Sequence, residues 1–107
     1  MGAALKVLVV EDDSTLREAL CDTIEFGGYR VSGACNGIEA LACLERDPVD
    51  LVISDVQMPG MDGESLLRKV RSIRPDLPFV MMTAHGSVQS AVSAMREGAT
   101  DYLLKPF

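Results

Sequence analysis

The chain has no excess of positive charge, no dense set of metal ligands and no long apolar run, and each shortage removes a class of function. Its 107 residues carry 10 lysines and arginines against 16 aspartates and glutamates, for a net charge of −6. Nucleic-acid binding by this piece is therefore not expected, because it needs a positive footprint to displace counterions from phosphates. The one histidine and the three cysteines, Cys21, Cys35 and Cys43, do not sit at zinc-ligand spacing, and the cysteines are too few and odd in number for a disulfide framework. They read as small buried thiols in a reducing cytoplasm. No apolar run approaches the roughly 20 residues of a membrane span. The N-terminus has no basic region ahead of a long apolar stretch, and the chain shows no repeat, low-complexity stretch or linker. The expectation is one soluble, cytoplasmic domain over residues 1–107, with a core supplied by an apolar fraction of 48%.

What is present alternates regularly. Leu5–Val10 (LKVLVV) is an apolar run broken only by Lys6 and stopped by Glu11-Asp12-Asp13, as expected of a strand buried on both faces of a parallel sheet. A helix over 14–26 follows, capped by Asp13 or Ser14, with Leu16, Ala19, Leu20, Thr23 and Ile24 on one face and Gly27-Gly28 at its end. Tyr29–Ala34 reads as a second strand. Asn36-Gly37 opens a helix whose stripe is Ile38, Leu41 and Leu44, closed before Pro48. Leu51-Val52-Ile53 is the third strand, running into Ser54-Asp55, and Met58–Gly63 is a loop by its turn residues. Leu66, Leu67, Val70 and Ile73 mark the third helix. Pro78–Met82 is strand four; Val88, Ala91, Val92 and Met95 mark the fourth helix, stopped by Gly98; Thr100–Leu104 is strand five. Strand–helix alternation predicts an α/β fold, a parallel sheet with helices on both faces.

In such sheets the ligand site lies beyond the carboxyl ends of the strands. Strand one ends in Glu11-Asp12-Asp13, strand three in Asp55, strand four in Thr83 and strand five in Lys105. Carboxylates brought together from adjacent strands repel unless a cation neutralises them, and hard oxygen ligands suit Mg²⁺. With a lysine and a threonine hydroxyl nearby, the group is suited to holding a phosphoryl moiety. Asp55, on the central strand, is the candidate nucleophile for an aspartyl phosphate. Each residue also has a plainer reading: the acids as a solvated helix N-terminus, Thr83 as a helix cap, Lys105 as surface. Four coincidences at one edge argue against all of these together.

The motifs VLVVEDD (7–13), DLVISDVQMPGMDG (50–63), MTAHG (82–86) and GATDYLLKPF (98–107) resemble bacterial two-component response-regulator receiver domains, from Lys6 to Phe107. The resemblance implies a flavodoxin-like (CheY-like) doubly wound sheet of order 2-1-3-4-5. It implies that Asp55 is phosphorylated, that Asp12 binds Mg²⁺ directly and Glu11 through water, and that Gln57 adds its backbone carbonyl. Asp13 starts the helix. Gln57 and His85 stand where the family tunes dephosphorylation, though His85 could equally be an exposed loop residue. Lys105 pairs with the phosphoryl group, and Lys105-Pro106 resembles the family's cis peptide. Tyr102 matches the switch aromatic that follows Thr83, against the alternative of a half-buried strand tyrosine. The implied partners are a sensor histidine kinase or phosphotransfer protein and an effector domain in a longer parent protein.

The run from Met82 to Phe107 further resembles receivers of sigma-54-dependent transcription activators of the nitrogen-regulator class (NtrC-type). Such a domain is a signalling switch and not a conventional enzyme. Receivers carry a fifth helix after the KPF motif, and this chain stops at Phe107. A bare apolar sheet face beside the first helix is therefore expected, and with it marginal stability or self-association, a homodimer being one form of the latter. Two alternatives remain open. One is a receiver-like interaction module that is never phosphorylated, against which the complete set of Glu11, Asp12, Asp55, Thr83 and Lys105 argues. The other is a haloacid-dehalogenase-type phosphatase, but that needs a second aspartate where this chain has Gln57.

Overall fold

Short runs of four or five residues form the strands, the central ones apolar, and amphipathic segments between them form the helices. The computed structural model describes residues 5–83 and 88–104, apart from the side chains of residues 88–91 and 104. The elements are β1 (Lys6–Val10), α1 (Ser14–Phe26), β2 (Arg30–Ala34), α2 (Gly37–Arg46), β3 (Leu51–Asp55), α3 (Gly63–Ile73), β4 (Phe79–Thr83), α4 (Val88–Arg96) and β5 (Asp101–Leu104). All strand pairs are parallel, in the order β2-β1-β3-β4-β5. The expected doubly wound topology is what the chain adopts.

One face of the sheet holds most of the core. Leu8, Val10, Val52, Phe79 and Met81 meet Ala40, Cys43, Leu44, Leu66, Leu67, Val70 and Ala94 from α2, α3 and α4. The opposite face presents the buried Val7, Val9 and Met82, and α1, which lies against β1 and β2, has no buried residue. Beside it an apolar cavity of about 360 Å³ is lined by Leu5, Val7, Ile24, Tyr29, Leu51 and Ile53, with Asp50 at its edge. Lys6, the one charge in the first strand, places its ammonium 3.2 Å from Asp47. That hydrogen-bonded lysine holds the Asp47 carboxyl below its ordinary value of 3.8.

Several side-chain assignments differ from expectation. In α2 the buried face is Gly37, Ala40, Cys43 and Leu44, while Ile38 is 72% exposed. A small residue faces inward at position 37 because a loop side chain occupies the space above it. Ile73 is in phase with Leu66 but sits in the terminal turn of α3, where packing gives out, and is exposed. Val92 and Met95 are also exposed, the inward position of α4 being taken by Ala94; the side chains of Val88 and Ala91 lie outside the described residues. On α1, Leu16, Leu20 and Ile24 are half-buried, whereas Ala19 and Thr23 are exposed. A connection not anticipated is made by Arg71, which donates to the carbonyls of Gly98 (2.8 Å) and Leu77 (2.5 Å) and so ties α3 to the segments that lead into β5 and β4.

Candidate phosphoryl and metal site

Strand register brings the site together. Val10 is opposite Ser54, so Glu11 and Asp12, just past β1, lie beside Asp55 at the end of β3. Asp55 is in turn opposite Met82, one residue before Thr83. One carboxylate oxygen from each of Glu11, Asp12 and Asp55 lies within 4.8 Å of the others. Glu11 is 1% exposed, Asp55 8% and Thr83 3%, while Asp12 faces solvent. At that separation two carboxylates repel by roughly 3 kcal/mol at an effective dielectric near 20. Oxygen-only donors, anionic and clustered at a rim open on one side, fit a hard divalent cation of the Mg²⁺ type.

Local structure holds these groups in place. The Glu11 amide donates to the Ala34 carbonyl at 3.0 Å, and Arg17 from α1 donates to the Glu11 carbonyl at 2.8 Å. The Glu11 carboxylate also accepts from the Asp13 amide at 3.2 Å. Asp13 caps α1, its side chain accepting from the amides of Thr15 and Leu16, so it starts the helix as anticipated. Past β3, the Val56 amide donates to the Met82 carbonyl at 2.9 Å, and the Gln57 amide to the Asp55 carboxylate at 3.3 Å. The loop then turns at Gly60, whose φ of +79° favours glycine. It closes where the Gly63 amide meets the Val56 carbonyl at 2.8 Å and Asp62 caps α3.

Four of the anticipated residues, Glu11, Asp12, Asp55 and Thr83, are thus found at one edge. The side chain of Gln57 is exposed. Tyr102 is half-buried on β5, opposite Met81, and packs against the core. His85, Lys105 and Pro106 lie outside the described residues. Two contributors were missed. Arg17 is one: an arginine on a helix face offers no sequence signal that it will reach back to the preceding strand. Gly63 is the other: the closing glycine of MPGMDG reads as a turn, but it is the point where α3 touches the backbone of Asp55.

The response regulator receiver domain family matches residues 7–107. The chain is 55% identical over 104 residues to the response regulator protein FleR of Pseudomonas aeruginosa, covering 97% of this chain and 22% of FleR. It is 46% identical over 107 residues to the C4-dicarboxylate transport transcriptional regulatory protein DctD of Rhizobium meliloti, covering all of this chain and 23% of DctD. Among solved structures, the chemotaxis protein CheY4 of Vibrio cholerae superposes with a TM-score of 0.93 at 37% identity, over 98% of this chain and 89% of that one. The fold and the acidic strand-end site define a signalling receiver. The chain belongs to the response regulator receiver domain family, and it spans less than a quarter of the length of these two regulators.

Proposed function

We propose that Asp55 of this receiver accepts a phosphoryl group in a Mg²⁺-dependent reaction. The observation that carries the reading is the convergence of the Glu11, Asp12 and Asp55 carboxylates within 4.8 Å at the strand edge, with Thr83 at the next strand end. An Asp55 carboxylate oxygen attacks the phosphorus of a phosphohistidine; the new bond is P–O, and the P–N bond to the imidazole breaks. Glu11, Asp12 and Asp55, with the Gln57 carbonyl, would hold Mg²⁺, which when bound offsets charge on the phosphoryl oxygens. Thr83 donates its hydroxyl to one of those oxygens, and Lys105 pairs with another. Tyr102 moves into the space that Thr83 vacates, which changes the surface of α4 and β5. Gln57 and His85 set how long the phosphoryl group survives.

The donor in this reading is a sensor histidine kinase or a phosphotransfer protein in the cytoplasm, and the recipient of the signal is an effector domain of a longer parent protein. The likeness to DctD, a transcriptional regulatory protein, supports an effector that regulates transcription, in keeping with the resemblance to sigma-54-dependent activators. The domain assists its own modification and carries no separate enzymatic activity. No helix among the described residues is long and apolar enough to cross a membrane.

Incubation with acetyl phosphate and MgCl₂ should add one phosphoryl group, and peptide mapping should place it on the segment containing Asp55. Modification at another residue, or equal modification in EDTA, would reject the assignment. The apolar surface around Leu5, Tyr29 and Phe26, the last 84% exposed, is the face through which two copies of this piece would associate. Sedimentation should then show a weight-average mass that rises with concentration. A concentration-independent monomer with cooperative melting would count against it.

A further inference from the structure

Gly37, in the first turn of α2, is far in sequence from the phosphoryl site, yet it touches the loop that builds it. A Cβ at position 37 would lie 2.6 Å from the Met61 sulfur, 3.0 Å from its Cγ and 3.1 Å from its Cβ. Met61 is half-buried and packs against the core. It belongs to the loop between Asp55 and α3 that also carries Gln57. The two sides of this contact differ in freedom. Gly37 is held by a reciprocal cap: the Asn36 side chain accepts from the Glu39 amide at 2.8 Å, and the Glu39 carboxylate accepts from the Cys35 amide at 3.0 Å. The loop turns at Gly60, outside any helix or strand, and its base is closed by the bond from the Gly63 amide to the Val56 carbonyl. Turning the thioether aside would relieve the sulfur but not the Met61 Cγ and Cβ, at 3.0 and 3.1 Å, so an added methyl asks the loop itself to shift by a few tenths of an ångström.

We propose that Gly37 and Met61 are positioning residues for the cation and phosphoryl site: the thioether seated on Gly37 sets where the loop lies, and through it where the Gln57 carbonyl is presented. The inference rests on the reading of Asp55 and Mg²⁺ given above. Neither residue touches the reacting atoms. The contact acts through a rigid helix end pressed against a loop, so its effect falls on affinity rather than on folding. Alanine is the better helix former, so Gly37→Ala should not weaken α2 itself.

The test compares Gly37→Ala, Met61→Ala and the double variant with the wild type, by MgCl₂ titration in a calorimeter and by amide resonances of residues 56–62 in metal-free protein. Residues that orient metal ligands typically change affinity by about tenfold or more. Gly37→Ala is expected to raise the Mg²⁺ Kd by about tenfold and to move those resonances before any metal is added. With the obstructing side chain gone the change at 37 should no longer matter, leaving the double variant within about twofold of Met61→Ala alone. A folded Gly37→Ala protein with the wild-type Kd and unmoved resonances would overturn the proposal, as would a double variant that binds many-fold more weakly than Met61→Ala. Should Gly37→Ala not fold, Met61→Ala and Met61→Leu decide: weakened binding in the first and near-wild-type binding in the second support the contact, and unchanged binding in Met61→Ala overturns it. A wild type that binds no Mg²⁺ would overturn the reading of the site itself, which is a separate result from wild-type binding that Gly37→Ala leaves unaltered.

Discussion

An Asp55→Asn variant is expected to take up no phosphoryl group and to lose most of the stabilisation that Mg²⁺ confers on the wild type. The first loss is chemical, since an amide oxygen is not the nucleophile that a carboxylate is. The second follows from linkage. A cation that binds only the folded state adds about 2.7 kcal/mol at one hundred times its Kd, and replacing Asp55 removes one of its three clustered carboxylates. The metal-free variant should melt no lower than the wild type. Asparagine keeps an oxygen that can accept from the Gln57 amide, at 3.3 Å in the native protein, and it relieves repulsion from Glu11 and Asp12. Intact mass after acetyl phosphate treatment, and melting curves with and without MgCl₂, read both effects. A variant that melts like the wild type under both conditions would mean that the ion, if bound, sits elsewhere.

The parts of this site legible in the sequence are those that depend on strand direction. Parallel strands put their carboxyl ends on one edge, so an acid after Val10, an aspartate after Ser54 and a threonine after Met82 had to meet. That inference needs only the order of apolar runs. Side-chain phase was harder to read. Ile38 is the most apolar residue at the start of α2, yet it points outward, because the inward position at 37 is filled by Met61 from a loop 24 positions further on (61 − 37). No window along the chain contains both residues. Glycine has the same limitation: Gly60, Gly37 and Gly63 look alike in sequence. Only Gly60 has a positive φ; the other two are glycine because something lies against their Cα. Arg71 is a similar case, its role fixed by carbonyls at Leu77 and Gly98 that only the folded chain brings within reach.

The contrast between those two glycines gives the other large effect. Gly63→Ala is expected to destabilise the domain by about 2–3 kcal/mol, in the range of overpacking a close-packed interior. In an ordinary first turn of a helix, alanine would stabilise by up to about 1 kcal/mol over glycine. Here the added methyl would run into the carbonyl oxygen of Asp55, with the Val56 Cα at 2.9 Å and the Asp55 carbonyl carbon at 3.1 Å. All three are backbone atoms in or just after a central strand, and none can rotate aside as the Met61 thioether can. Relief requires α3 to draw back from β3. That would stretch the 2.8 Å bond between the Gly63 amide and the Val56 carbonyl and would move the backbone on which the Asp55 carboxylate is mounted. Loss of such a fraction of a typical 5–15 kcal/mol total should be plain in a urea titration. The midpoint should fall with little change in slope, and phosphoryl uptake from acetyl phosphate should slow even where the variant remains folded. A stabilised Gly63→Ala protein with wild-type uptake would show that α3 can shift at no cost, and that the close approach does not fix Asp55.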